Sequence, residues 1–120
     1  MSINKAILGP MRVPFLILTP ACVMLGIATA ARAGAHLGAL QIILVFVGAL
    51  CTHISVNAFN EYEDYKSGLD ARTERTPFSG GSGTLQANPK LADIALATAL
   101  ISLVILALIG IYFTWLQGLA

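Results

Sequence analysis

The chain has 120 residues, of which 57% are hydrophobic and only 11% charged, and its net charge is +1; mean hydropathy is +0.80. A soluble domain carries about 25% charged residues, so these residues cannot cover a surface that faces water throughout. The near-neutral balance gives no footprint for nucleic acid, and the composition reads as one compact helical unit in a lipid bilayer.

Uncharged runs cover residues 13–31, 33–60 and 94–120. Each is long enough to cross a bilayer, which takes about 20 helical residues. Backbone cannot stay unpaired in lipid and nothing alternates with period two, so helices are expected rather than barrel strands. The fold class is all-α: an integral membrane helical bundle with three transmembrane helices, over about 13–31, 39–62 and 91–116, and a loop over about 63–90.

Lys5 and Arg12 precede the first span. With the small residues of "ATAARAGA" after it, they also give a signal-peptide pattern. Two prolines and a full-length apolar run favour a retained helix. Pro14 suits a first turn, and Pro20 predicts a kink near the middle. Cys22 and Cys51 sit in apolar runs without metal-ligand spacing and are expected to be inert, buried thiols. His36, between the first two spans, carries no expected role.

The second span changes character along its length. "LGALQIILVFVGAL" suits lipid, whereas "CTHISVNAFNEYEDY" is increasingly polar. At about 100° per residue, His53, Asn57, Asn60 and Asp64 share a wedge of about 60°, with Glu61 beside it. Polar groups at membrane depth face a bundle interior or a wet cavity. His53 is expected to make a polar contact inside the bundle rather than to act as a base.

Most of the acids then arrive together: Glu61, Glu63, Asp64 and Asp70. A helix C-terminus disfavours acids by about 0.3–1 kcal/mol each, and like charges one turn apart repel further. A divalent cation reverses both terms. Mg²⁺ takes one or two carboxylates plus substrate phosphates, and Asn60 and Asp64, one turn apart, offer such an open oxygen set. The alternative is a solvated acidic helix end. Lys66, Arg72 and Arg75 follow at once and could neutralise a diphosphate, or could serve topology alone.

The loop "KSGLDARTERTPFSGGSGTLQANPK" is rich in turn formers, so helix is not expected through most of it. Its "FSGGSGTL" could cradle phosphate through backbone N–H groups or act as a flexible lid. No P-loop or dinucleotide fingerprint is present. An EF-hand phasing fails because Tyr65 falls at a ligand position. The third span begins near Leu91, marked by Asn88 or Pro89, and ends in an aromatic belt of Tyr112, Phe113 and Trp115. Six cations, Lys5, Arg12, Lys66, Arg72, Arg75 and Lys90, fall on one side and Arg32 on the other. The positive-inside bias puts the N-terminus and the acidic loop in the cytoplasm.

"NEYEDYKSGLD", followed by Arg72, Arg75 and "TPFSGGSG", resembles the first aspartate-rich motif of UbiA-type intramembrane prenyltransferases. The pattern N-x-x-x-D-x-x-x-D gives Asn60, Asp64 and then Gly68. The variant with Gly there and an acid two residues later adds Asp70 and is similar to the 1,4-dihydroxy-2-naphthoate polyprenyltransferase branch of menaquinone biosynthesis. Glu61 stands where the family often has Asp. Arg12 before an apolar span also looks like the family's first helix.

The resemblance implies Mg²⁺ held by Asn60, Asp64 and Asp70, the catalytic set. It implies a polyprenyl diphosphate neutralised by Lys66, Arg72 and Arg75, with Asn57 and Glu61 as candidate contacts for the aromatic acceptor. The expected reaction is transfer of the polyprenyl group to that acceptor, in a bacterial-type inner membrane. The chain matches about the first three spans of a family that typically has about nine. No second acidic motif follows, so a fragment or one half of a split protein is expected, with the remaining helices or a complementary chain as partner and no activity alone. The alternatives are a prenyltransferase for another aromatic or tetrapyrrole acceptor, and a non-catalytic three-span accessory or transport subunit.

Overall fold

A computed structural model of the chain describes residues 3–74, 76 and 80–118. Three helical spans are long and apolar enough to cross a membrane: Val13–Arg32, Ala39–Ser67 and Pro89–Gln117. Among the described residues there is no strand. The chain is an all-α bundle of the membrane class, as its apolar runs require.

The first span departs from expectation. After a short helix α1 (Ile3–Leu8), residues Val13–Ile17 form a 3-10 segment, and only then does α2 (Leu18–Arg32) begin. Pro20 therefore falls in the first turn of α2 rather than kinking a continuous helix. Its missing N–H costs nothing there, because first-turn donors have no helical acceptor. Arg12 precedes the 3-10 segment in the left-handed region, with φ 50 and ψ 54. For a residue with a Cβ that conformation costs about 1–2 kcal/mol, and it turns the chain into the span.

Helix α3 (Ala39–Ser67) has 29 residues. At 1.5 Å per residue it is about 43 Å long, against about 30 Å of hydrocarbon. Its last turns stand out of the apolar layer, so charges from Glu61 onward do not end it. It continues past the expected end near 62 and stops at Gly68, left-handed with φ 73, as helix C-termini commonly do. At the other end the Gln41 side chain accepts the Gly38 N–H at 2.8 Å.

Two short helices follow, α4 (Leu69–Arg72) and α5 (Thr84–Ala87), then a 3-10 turn at Pro89–Leu91 and α6 (Ala92–Gln117). Asn88 makes no side-chain cap. Near the end of α6, Tyr112 and Phe113 pack edge to face at 5.6 Å, and Trp115 is exposed.

The principal contact is α3 against α6. Gly48, Cys51, Ser55 and Ala58 are the buried residues along α3, continued by Glu61; on α6 they are Ala95, Ala99 and Ser102. Small residues let the two backbones approach closely, which is how helices associate where no hydrophobic drive exists between them. Ser55 Oγ donates to the Ala99 carbonyl at 3.0 Å. Helix α2 lies on α3 more loosely and leaves Leu18, Met24 and Leu25 exposed, a face suited to lipid. Both cysteines are free thiols; Cys51 is buried as expected, but Cys22 is exposed.

Candidate functional site

The polar residues of α3 divide between two neighbours. His53 Nδ1 and Thr19 Oγ1 of α2 share a hydrogen bond at 2.6 Å, the bundle contact expected of that histidine. One turn on, Asn57 Nδ2 donates to the Met11 carbonyl at 3.0 Å. Met11 lies in the break between α1 and the 3-10 segment, where the chain is not helical. Leaving such a carbonyl unpaired and buried costs about 1–3 kcal/mol.

Because α2 and α3 touch loosely, a groove runs between them. Its upper part, about 270 Å³, is lined by Arg12, Pro14, Phe15, His53 and Asn57 among others. A second part, about 390 Å³, shares Leu18 and His53 with the first and is walled by apolar residues including Val23, Ala49 and Val56. One end offers a guanidinium, an imidazole and an amide, and the other, apart from the shared imidazole and the Thr19 and Thr52 hydroxyls, is walled by apolar side chains. This shape suits an amphiphile with an anionic head.

Arg12 also faces the loop. Its Nε lies 3.9 Å from Glu61 Oε2, is buried, and has no hydrogen-bond partner. Glu61 is fully buried. Its carboxylate accepts the Ser82 backbone N–H at 2.8 Å and the Ser82 hydroxyl at 2.6 Å. A carboxylate withdrawn from water needs paired charge and hydrogen bonds. Here the glycine-rich loop supplies the donors and the N-terminal segment supplies the charge.

Asp70 is also buried, in the first turn of α4. Gln86 Nε2 donates to its Oδ2 at 3.0 Å. The other side is closed by Gly81, where a Cβ would overlap the Asp70 carboxylate. Gly80, Gly81 and Gly83 are all left-handed, with φ 81, 69 and 73, so the strap "GGSG" can follow a path closed to ordinary residues. It passes over both buried carboxylates.

The residues singled out by sequence thus have different surroundings. Asn60 is exposed and Asp64 half-exposed on the last turns of α3, one helical turn apart. Asp70 faces the strap instead. Among the described residues no three His, Cys, Asp or Glu side chains converge as a metal-binding group. Asn60 and Asp64 fit an open two-oxygen set for Mg²⁺, whose other ligands are water and phosphate; Asp70, enclosed by Gln86 and Gly81, does not fit in this arrangement. Lys66 is exposed, with Nζ 5.8 Å from the Tyr62 ring centroid, and Arg72 is also exposed. Arg75 lies outside the described residues. Asn57 reaches the groove, whereas Glu61 is turned into the loop.

Sequence reasoning missed Ser82, Gln86 and the double role of Arg12. The only local signal was a hydroxyl set between glycines in a loop that follows surplus acids. Compared with models of protein families, with characterised proteins and with solved structures, the chain matches none.

Proposed function

We propose that the chain forms the first metal–diphosphate site of an intramembrane prenyltransferase. It would act on a polyprenyl diphosphate and an aromatic acceptor, of which 1,4-dihydroxy-2-naphthoate fits the motif best. The observation that carries the reading is the groove between α2 and α3, polar at the end bearing Arg12, His53 and Asn57 and apolar beyond. It opens at the same end of the bundle as Asn60 and Asp64. A prenyl diphosphate has this division between a charged head and a hydrocarbon tail.

In this reading Asn60 and Asp64 would hold Mg²⁺ for the diphosphate. The metal supplies stabilisation of the charge that develops as the C–O bond breaks. Lys66, Arg72 and Arg75 neutralise the leaving group, Asn57 lies where it can meet the acceptor, and the apolar groove keeps water from an allylic cation. A second, acidic motif from other helices or another chain would face Asn60 and Asp64 across the diphosphate. The loop and N-terminus then lie in the cytoplasm of a bacterial-type inner membrane. Transport is the weaker reading, because the acids stand at a helix end rather than at mid-span.

The test is linkage. In nanodiscs, farnesyl thiodiphosphate and Mg²⁺ should each tighten the other's binding by about 5- to 150-fold, the usual range of coupling. Asp64→Ala should abolish that coupling while leaving insertion intact. Independent affinities in the unaltered chain would refute the reading.

A further inference from the structure

Arg12 belongs to two places at once. It lines the groove with His53 and Asn57, and it stands 3.9 Å from the buried Glu61 carboxylate. Glu61 in turn holds the strap through both donors of Ser82, whose Oγ accepts the Thr84 backbone N–H at 3.1 Å and lies 2.7 Å from Thr84 Oγ1. Asp70 is covered by the same strap through Gly81, and by Gln86 of α5. Two segments distant in sequence, the N-terminal one and the strap, therefore close on the Glu61 carboxylate, and the Arg12 guanidinium beside it also faces a cavity.

We propose that Arg12 couples the groove to the strap: an anionic headgroup entering the groove draws the guanidinium from Glu61, and the strap then releases Glu61 and Asp70. The reason is the cost of a buried charge. While Arg12 is near, Glu61 is compensated and stays enclosed. When a phosphate competes for the guanidinium, the carboxylate is left with hydroxyl and amide donors alone, and water becomes its better partner. Opening frees Ser82 from Glu61 and lifts Gly81 from Asp70. The carboxylates are thus capped when the groove is empty and exposed when it is filled. What they hold once exposed rests on the prenyltransferase reading; the coupling does not.

Amide hydrogen exchange reads the strap directly, because the Ser82 N–H is one of its bonds. The full chain in phosphatidylcholine nanodiscs is measured without divalent metal, following the peptide spanning 80–86. Dodecyl phosphate is the probe; it has an anionic head and a tail but no group to transfer. Exchange in that peptide should rise about fivefold or more, with α3 and α6 unchanged. Dodecanol and inorganic phosphate should have no effect, and Arg12→Gln should exchange fast without the probe and respond no further. Ser82→Ala, which removes only a hydroxyl, should also speed the peptide.

Unchanged or slower exchange with dodecyl phosphate overturns the proposal. So does an equal response to inorganic phosphate, which would take the groove out of the coupling, and so does a Ser82→Ala strap that stays closed. Loss of the Mg²⁺ linkage above, with this response intact, would remove the metal reading and leave the strap.

Discussion

Gly68 and Gly81 have nearly the same backbone angle, φ 73 and φ 69, but different surroundings. A Cβ on Gly68 meets nothing within 4 Å, whereas one on Gly81 meets the Asp70 carboxylate. Alanine at either position bears the left-handed penalty of about 1–2 kcal/mol. Only Gly81→Ala must also displace a buried group, which adds about 1–3 kcal/mol as overpacking does elsewhere. Thermal unfolding in detergent should therefore show a lower Tm for Gly81→Ala than for Gly68→Ala. Equal losses would mean that the strap yields without resistance and that Asp70 is not confined by it. The comparison also shows what could not be read beforehand. Gly81 and Asp70 were visible as a turn former and an acid, but their contact depends on how the loop brings the two together, which has no local signature.

At the scale of elements, the α3–α6 contact carries the bundle, and its two sides tolerate bulk differently. A Cβ at Gly48 would meet Ile109 and Leu106 side-chain carbons at 3.5–3.9 Å, which is ordinary contact. Gly48→Ala should be neutral or stabilising by up to about 1 kcal/mol, since glycine weakens a helix interior by that amount. Ala99 has no such room: it is fully buried and its carbonyl receives Ser55 Oγ. Ala99→Leu should cost about 1–3 kcal/mol by forcing the helices apart. Unfolding by sodium dodecyl sulfate, followed by helical signal, checks both. Elements of this kind were legible because apolar length alone demands a spanning helix. Their internal details were not. Pro20 predicted a mid-span kink, but a preceding 3-10 segment moved it into a first turn. Glu61 was legible as a surplus acid, though not as the anchor of a loop, because its partners arrive from Arg12 on one side and Ser82 on the other.

For the whole molecule, the distribution of cations is the basis of the orientation we propose. Lys5, Arg12, Lys66, Arg72, Arg75 and Lys90 stand against Arg32 alone, and loops rich in Lys and Arg stay on the cytoplasmic side. The structure adds a mechanical reason for keeping the first group together: Arg12, Glu61 and Ser82 meet at one end of the bundle, so the N-terminal segment and the loop cannot lie on opposite faces. The prediction uses single cysteines at the exposed positions Ala87 and Ala35, with Cys22 and Cys51 replaced by alanine. A membrane-impermeant maleimide should label Ala87→Cys only in inside-out vesicles and Ala35→Cys only in right-side-out ones. Exchange of the two patterns would reverse the orientation and place the groove mouth away from cytoplasmic substrates, removing the proposed reaction while leaving the fold untouched. Labelling of both sites from one side would be more damaging. The second span would then not cross the bilayer, and the length of α3, about 43 Å at 1.5 Å per residue, would have no membrane to match.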